Sequence, residues 1–224
     1  MIGLRILQRA RSVDLALARQ FLDVPVANVS DCMSRMTAGG ARLRPMHGGG
    51  RMAGPALTVK TRPGDNLMVH KALQLAVPGD VIVVDAGGDL TNAIIGEIMV
   101  GDAVLRQLGG IVINGAIRDA GALRAGDFPV FAAGVTHRGP YKDGPGEINV
   151  PIAIDGMVIE PGDLVIGDDD GLLCVPYAEA ANLLAAAQAK QEVEARMVAG
   201  IADGSYDRGW VDATLKRLNC QMPE

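Results

Sequence analysis

The sequence of 224 residues predicts an α/β domain, and two observations carry that prediction. Apolar runs of strand length, such as "VIVV" at 81–84 and "IVING" at 111–115, alternate with segments whose apolar residues recur at helical spacing, the rhythm of a sheet covered by helices. These runs also lack any polar face, which marks strands buried on both sides. No compositional break divides the chain, so it reads as one domain over 1–224 with a helical arm from about 204.

The elements follow in order. The start, "MIGLRILQRARSVD", reads as an amphipathic first helix docked on the domain, and "SVDLALARQFL" at 12–22 as a helix with Ser12 as its cap. "VPVANVSDCMSRM" predicts a short extended stretch entering another helix, with Ser30 or Asp31 as N-cap. "RLRPMHGGGRMAGPALTVK" is a Gly- and Pro-marked loop running into a strand. A helix over 66–76 carries the stripe Leu67, Val69, Leu73 and Leu75 behind Asp65 or Asn66, and a strand follows over 80–85. A short apolar "AII" then leads into "GEIMVGDAVLRQLGG", where Ile98, Met99, Ala103, Val104 and Leu108 keep helical spacing; "IVING" and "FPVFAAGV" are the next strands. From 148 the Asp-Gly and Pro-Gly-Asp turns predict a meander of three or four short strands. An Ala-rich helix with Gly200 as its C-cap and a helical tail complete the chain; Trp210 in that tail is a packing anchor or an interface contact.

Composition narrows the function. Aromatics are only 3% of residues, so the core is aliphatic, and the formal charge of -5 disfavours nucleic acid as a partner. Cys32, Cys174 and Cys220 form no CxxC pair, which excludes a zinc motif and suits a reducing, cytoplasmic compartment. No apolar run reaches the roughly 18 residues of a membrane span, and no signal-peptide core opens the chain. Asn28-Val29-Ser30 matches a glycosylation acceptor, without meaning in that compartment.

Three motifs compete for chemistry. Gly96-Glu97-Ile98-Met99 opens a helix whose free N–H groups attract an anion such as a carboxylate, or it is an ordinary glycine-capped helix start. Arg118-Asp119 follows a buried strand directly, where open α/β sheets gather ligands: the Arg fork suits a carboxylate or carbonyl and the Asp a hard cation, against a plain surface ion pair. Glu97 would add a second carboxylate near such an ion. "GGGRMA" at 48–53 follows no strand, so a dinucleotide loop is not predicted. His47, His70 and His137 lack zinc spacing, His70 is expected to pack on its own helix, and Asp168-Asp169-Asp170-Gly171 is a strand-joining turn. Lys60, Lys71 and Lys142 stand beside no evident partner for a Schiff base.

The segments "PGDNLMVHKAL", "PGDVIVVDAGG", "GEIMVGDAVLRQLGGIVINGAIRD" and "GPGEINVPIAIDGMVIEPGDLVIGDDDGLLCVP" occur in an order that resembles the family of regulator of ribonuclease activity A and the class II 4-hydroxy-4-methyl-2-oxoglutarate aldolases, over about 25–200. The resemblance implies a swivelling β/β/α sandwich assembled as homotrimers or hexamers with sites at subunit interfaces. It implies that Gly96, Glu97, Ile98, Met99 and Arg118 bind a 2-oxo acid, with Arg118 and Glu97 catalytic, and that Asp119 ligates Mg²⁺ or Mn²⁺. A glutamate of a neighbouring subunit's late helix, Glu192 or Glu194, would approach the metal through water. The expected activity is pyruvate aldolase with oxaloacetate decarboxylase; the alternative is a non-enzymatic regulator that binds and inhibits a ribonuclease. The tail after Gly204 matches no family pattern.

Overall fold

The computed structural model describes residues 2–37 and 41–222. The chain divides into two compact units, Met1–Ala187 and Gln188–Glu224.

The first unit opens with strand β1 (Leu4–Ile6), where a docked helix was expected. Period two wins because Arg5 turns inward to Glu147 (Nε to Oε1 2.6 Å) while Leu4 and Ile6 face out. Helix α1 (Leu15–Gln20) follows; its cap is Asp14, which accepts from the N–H groups of Ala16 and Leu17, and not Ser12, whose hydroxyl bonds the Val13 carbonyl. Helix α2 (Val26–Cys32) begins behind Pro25, which leaves Ser30 and Asp31 inside the helix. Pro25 needs no N–H partner, and Asp168 Oδ2 accepts the Val26 N–H at 2.9 Å from across the fold, so the chain coils earlier than the capping residues suggest. The sequon residue Asn28 is buried. Then come β2 (Arg44–Pro45), β3 (Met52–Thr61), α3 (Leu67–Leu75), β4 (Val81–Asp85), β5 (Ala93–Ile95), α4 (Glu97–Leu105), β6 (Gly110–Ile117), α5 (Ala120–Arg124) and β7 (Val130–Val135). Five short strands complete the sheets: β8 (Gly146–Ile148), β9 (Ile152–Ile154), β10 (Met157–Ile159), β11 (Leu164–Asp168) and β12 (Gly171–Val175).

Strands β3, β4, β6 and β7 pair in parallel and form the centre of the order β1-β8-β3-β4-β6-β7-β2. The near-continuous apolar run of β4 has a direct cause. Along β4, Ile82 and Val84 enter one apolar cluster with Val69 and Leu73 of α3 and Ala103 of α4, whereas Val81 and Val83 enter a second with Ile154, Met157 and Cys174 of the later strands. Helices cover one face and a second β layer the other, so neither face is wet. This β/β/α layering is the sandwich expected from the sequence. β11 bridges the layers by pairing with both β12 and β3, while β9 and β10 form a separate hairpin. A third cluster joins Phe21, Val29, Leu173 and Leu184, docking α1, α2 and the first turns of α6 (Ala180–Asp203).

The second unit holds the rest of α6 and α7 (Gly209–Arg217). The long helix runs through Gly200 and stops at Asp203; Gly204, at φ +80°, takes the left-handed position after it. Gly200 instead supplies a carbonyl to the Tyr206 N–H. Trp210 is exposed within this unit. No described helix is long and apolar enough to cross a membrane.

Candidate active site

Parallel pairing of β5 with β6 sets Ile95 beside Ile117, so both strands end at the same level. The residues that follow them, Gly96 and Arg118-Asp119, therefore become neighbours, and the Arg118 N–H closes the junction on the Ile95 carbonyl at 3.0 Å. Asp119 is held at φ 56°, ψ 34°, a left-handed conformation that costs an ordinary residue on the order of 1 kcal/mol but suits aspartate better than most. That turn brings its Oδ2 back to accept the Glu97 N–H at 3.0 Å, at the positive end of α4. Arg118 Nε lies 3.7 Å from the same oxygen, and both side chains stay partly open to solvent. Neither is consumed by a tight mutual ion pair.

A pocket of about 290 Å³ opens over this junction, lined by Gly96, Ile98, Met99, Arg118 and Asp119 from the two strand ends, with Asn66 and His70 of the α3 segment and Gly139, Pro140 and Lys142 of the loop after β7. Five of the six residues singled out in the sequence thus face one cavity. Glu97 contributes its backbone N–H to Asp119, but the residue borders an adjacent apolar groove with Val100, Val104 and Phe128.

Sequence reasoning did not place three polar side chains in this pocket. Asn66 is buried; its Nδ2 donates to the Ile94 carbonyl at 2.9 Å and lies 3.5 Å from Met99 Sδ, which leaves Oδ1 buried with no hydrogen-bond partner. A buried acceptor in a pocket wall without a protein donor is open to a donor that enters the pocket, a water or a ligand hydroxyl. His70 does not simply pack on its helix: it lines the cavity, and burial, reinforced by the Lys142 ammonium and opposed by Asp102, holds its imidazole below the usual histidine range. Lys142, without a visible partner in sequence, lies in the same wall. The capping position of Asn66 signalled only a helix start, and nothing near it in sequence points to a loop 76 residues further on.

Among the described residues no group of three or more His, Cys, Asp and Glu side chains gathers to hold an ion. Asp119, accessible at the pocket wall and with one oxygen fixed by a backbone N–H, fits the mode in which a hard cation takes one or two carboxylates and keeps its waters.

Comparison with known proteins agrees with this architecture. The RraA-like family model, Aldolase/RraA, matches residues 26–174. The chain is 41% identical over 184 residues, 82% of its length and 88% of the relative's, to a Halalkalibacterium halodurans protein named "Putative 4-hydroxy-4-methyl-2-oxoglutarate aldolase". Among solved structures it is similar to Streptomyces coelicolor RraAS2, titled an unusual member of the RNase ES inhibitor RraA family (28% identity, TM-score 0.75, covering 84% of this chain and 98% of that one). It is also similar to the RNA-processing inhibitor RraA from Thermus thermophilis (30% identity, TM-score 0.63, covering 69% and 93%).

Proposed function

Because the chain belongs to the RraA-like family of aldolases and RraA proteins, we propose that it is a divalent-metal-dependent lyase. It would cleave 4-hydroxy-4-methyl-2-oxoglutarate or a related 4-hydroxy-2-oxo acid to pyruvate and decarboxylate oxaloacetate. The observation that carries this reading is the convergence on one pocket of a carboxylate, a guanidinium, an ammonium, an imidazole and an orphaned acceptor. Such a set suits a small polar anion with a hydroxyl to bind.

Asp119 would hold the Mg²⁺ or Mn²⁺, which when bound supplies Lewis-acid polarisation of the 2-oxo acid. Arg118 presents its planar fork to the substrate carboxylate or keto oxygen and stabilises the negative charge that grows there as the carbon–carbon bond breaks. The N–H groups at Gly96–Met99 favour the same charge from the helix end. Asn66 Oδ1 is free to accept from the substrate hydroxyl, which must shed its proton during cleavage, and neutral His70 is the pocket base suited to take it. Lys142 balances the remaining anionic end of the substrate. No Schiff base is invoked.

Ile98 and Leu105 of α4 are 83% and 82% exposed, which supports covering of this helix by a second copy in a homotrimer or hexamer. Glu192 or Glu194 of a neighbouring copy remains our candidate for a water-mediated contact to the metal. The free cysteines fit a cytoplasmic setting.

The second reading, a ribonuclease-binding regulator, is favoured by the two solved RraA structures. Incubation with Mg²⁺ and a panel of 2-oxo acids, coupled to pyruvate detection, separates the two. We expect turnover that EDTA abolishes, that Mg²⁺ restores and that Asp119→Ala removes. Turnover unaffected by EDTA, or full rate in Asp119→Ala, overturns the metal-dependent lyase, and no turnover together with capture of a ribonuclease favours the regulator.

A further inference from the structure

Lys142 sits in the stretch between β7 and β8, which has no regular structure of its own, yet its position in the pocket wall is well defined. The cause is a single carboxylate. Asp65 is 0% exposed and takes four donors: Oδ1 accepts the Leu67 N–H at 2.9 Å, and Oδ2 accepts the N–H groups of Asp143 at 2.9 Å and Gly144 at 2.8 Å and the Arg62 guanidinium at 3.1 Å. On the other side of Lys142, the Tyr141 N–H donates to the Gly64 carbonyl at 2.8 Å and the Tyr141 carbonyl accepts from Asn66 at 3.0 Å. Residues 141, 143 and 144 are thus all fastened to the segment 64–67, and Lys142 is the one residue between the fastenings. Its side chain alone is left to enter the cavity. Asn66 and His70 grow from the segment that the same carboxylate starts. Burial pushes the Asp65 carboxyl up, but its N–H partners outweigh that and leave it below the usual carboxylate range, so it stays an anion and keeps all its acceptor sites.

We infer that Asp65 is a positioning residue: it latches the 141–144 loop to the start of α3 and thereby sets where the Lys142 ammonium stands relative to Asn66 and His70. The inference rests on the pocket being the lyase site described above. A side chain that serves only the fold would act on all pocket groups alike, whereas a latch acts through Lys142. Asp65→Asn keeps the shape but turns one acceptor oxygen into an amide that faces N–H groups it cannot accept from.

The test is a double-mutant cycle. With oxaloacetate and Mg²⁺, Asp65→Asn and Lys142→Ala are each expected to lower kcat/KM by about 10- to 100-fold, in the range for ångström-scale misplacement, and the double variant to match Lys142→Ala alone within about twofold. A double variant that loses the product of the two factors overturns the latch. A second readout needs no turnover: acetic anhydride labelling followed by mass spectrometry should show Lys142 at least threefold altered in rate in Asp65→Asn, with Lys60 and Lys71 unchanged, and an unaltered Lys142 counts against the inference. If the wild type turns over no 2-oxo acid, the functional reading falls and labelling alone decides the latch. Should Asp65→Asn not fold, hydrogen exchange on the wild type decides: slow exchange at the Asp143 and Gly144 amides supports the latch, and exchange at unstructured-peptide rates overturns it.

Discussion

Replacing Gly96 by alanine is the sharpest probe of the strand-end junction. An added Cβ would stand 2.3 Å from Asp119 Oδ2, 2.9 Å from Arg118 Cγ and 3.2 Å from Arg118 Nε, where ordinary contact begins at 3.4 Å. The carboxylate must therefore retreat by about 1 Å, giving up its bond from the Glu97 N–H, and a displacement of that size costs about 100-fold in rate. That is close to ~2.7 kcal/mol of transition-state stabilisation. The backbone is not at fault: Gly96 sits at φ -154°, ψ -167°, extended geometry that alanine adopts freely. Steady-state kinetics with oxaloacetate and Mg²⁺ should show the loss in kcat/KM, while thermal unfolding moves by no more than about 4 °C, the shift for ~1 kcal/mol in a chain of this size. Gly101→Ala, five residues on in the same helix and meeting nothing within 4 Å, is the control and should keep its rate. A Gly96→Ala protein with wild-type kcat/KM refutes the placement of Asp119 in the reaction.

Other consequences are as direct. Arg118→Ala should lower kcat by about 10²- to 10³-fold, as for loss of an oxyanion donor, and Arg118→Lys should recover little of it because the ammonium lacks the fork; an unchanged kcat removes Arg118 from the chemistry. Since burial and then the Lys142 cation hold the His70 imidazole below its ordinary range, Lys142→Met should raise the His70 pKa in an NMR titration, and an unmoved value means that the two side chains do not face each other. Glu147, lowered by its bond from Arg5 and then by the Gly3 N–H, contributes stability that is present above the ordinary carboxylate range and lost as pH falls through its lowered folded value. The urea-stability gap between wild type and Glu147→Gln should accordingly be constant near neutrality and narrow below about pH 4, and a gap that widens in acid contradicts the assignment. Arg9→Ala strands Asp80, 1% exposed and paired at 2.7 Å, and should cost about 3–5 kcal/mol in urea unfolding; a loss under 1 kcal/mol would mean water reaches that carboxylate.

What could be read in the sequence depended on how local the determining physics was. The strands over 81–85 and 110–117 were legible because burial on both faces leaves near-continuous apolar runs, "VIVV" and "IVI", a property each run carries alone. Gly96 was legible as the opening of a helix, and the pair Arg118-Asp119 because it follows a buried strand. Boundaries failed where two local signals competed: Pro25 started α2 ahead of Ser30 and Asp31, and Gly204 ended α6 beyond Gly200, since a capping residue offers an option and the tertiary contacts choose among the options offered. Asn66, His70 and Lys142 were not legible at all. Their place in the site is set by a sheet order that interleaves β8 beside β3, and by Asp65 reaching from position 65 to amides at 143 and 144.

The pocket draws on two kinds of support with different sensitivity to change. Asp119 and Gly96 are set by the parallel pairing of Ile95 with Ile117, both buried in the main apolar cluster, so a slip of β5 along β6 would also pull Ile94 and Ile95 out of that cluster and the anionic end of the site is tied to the core. Lys142 instead depends on hydrogen bonds from a loop to one buried carboxylate, outside any strand ladder, and loops open more readily than core strands do. The wall that carries Lys142 is therefore the part of the site that sequence change in a loop can reshape without altering the sheet. Variation in the 139–145 loop should then alter which 2-oxo acid is accepted, seen as KM changes across a substrate panel, while Gly96→Ala lowers and Asp119→Ala removes turnover for every member of it. Equal loss for all substrates in loop variants that keep Lys142 would break this division of labour.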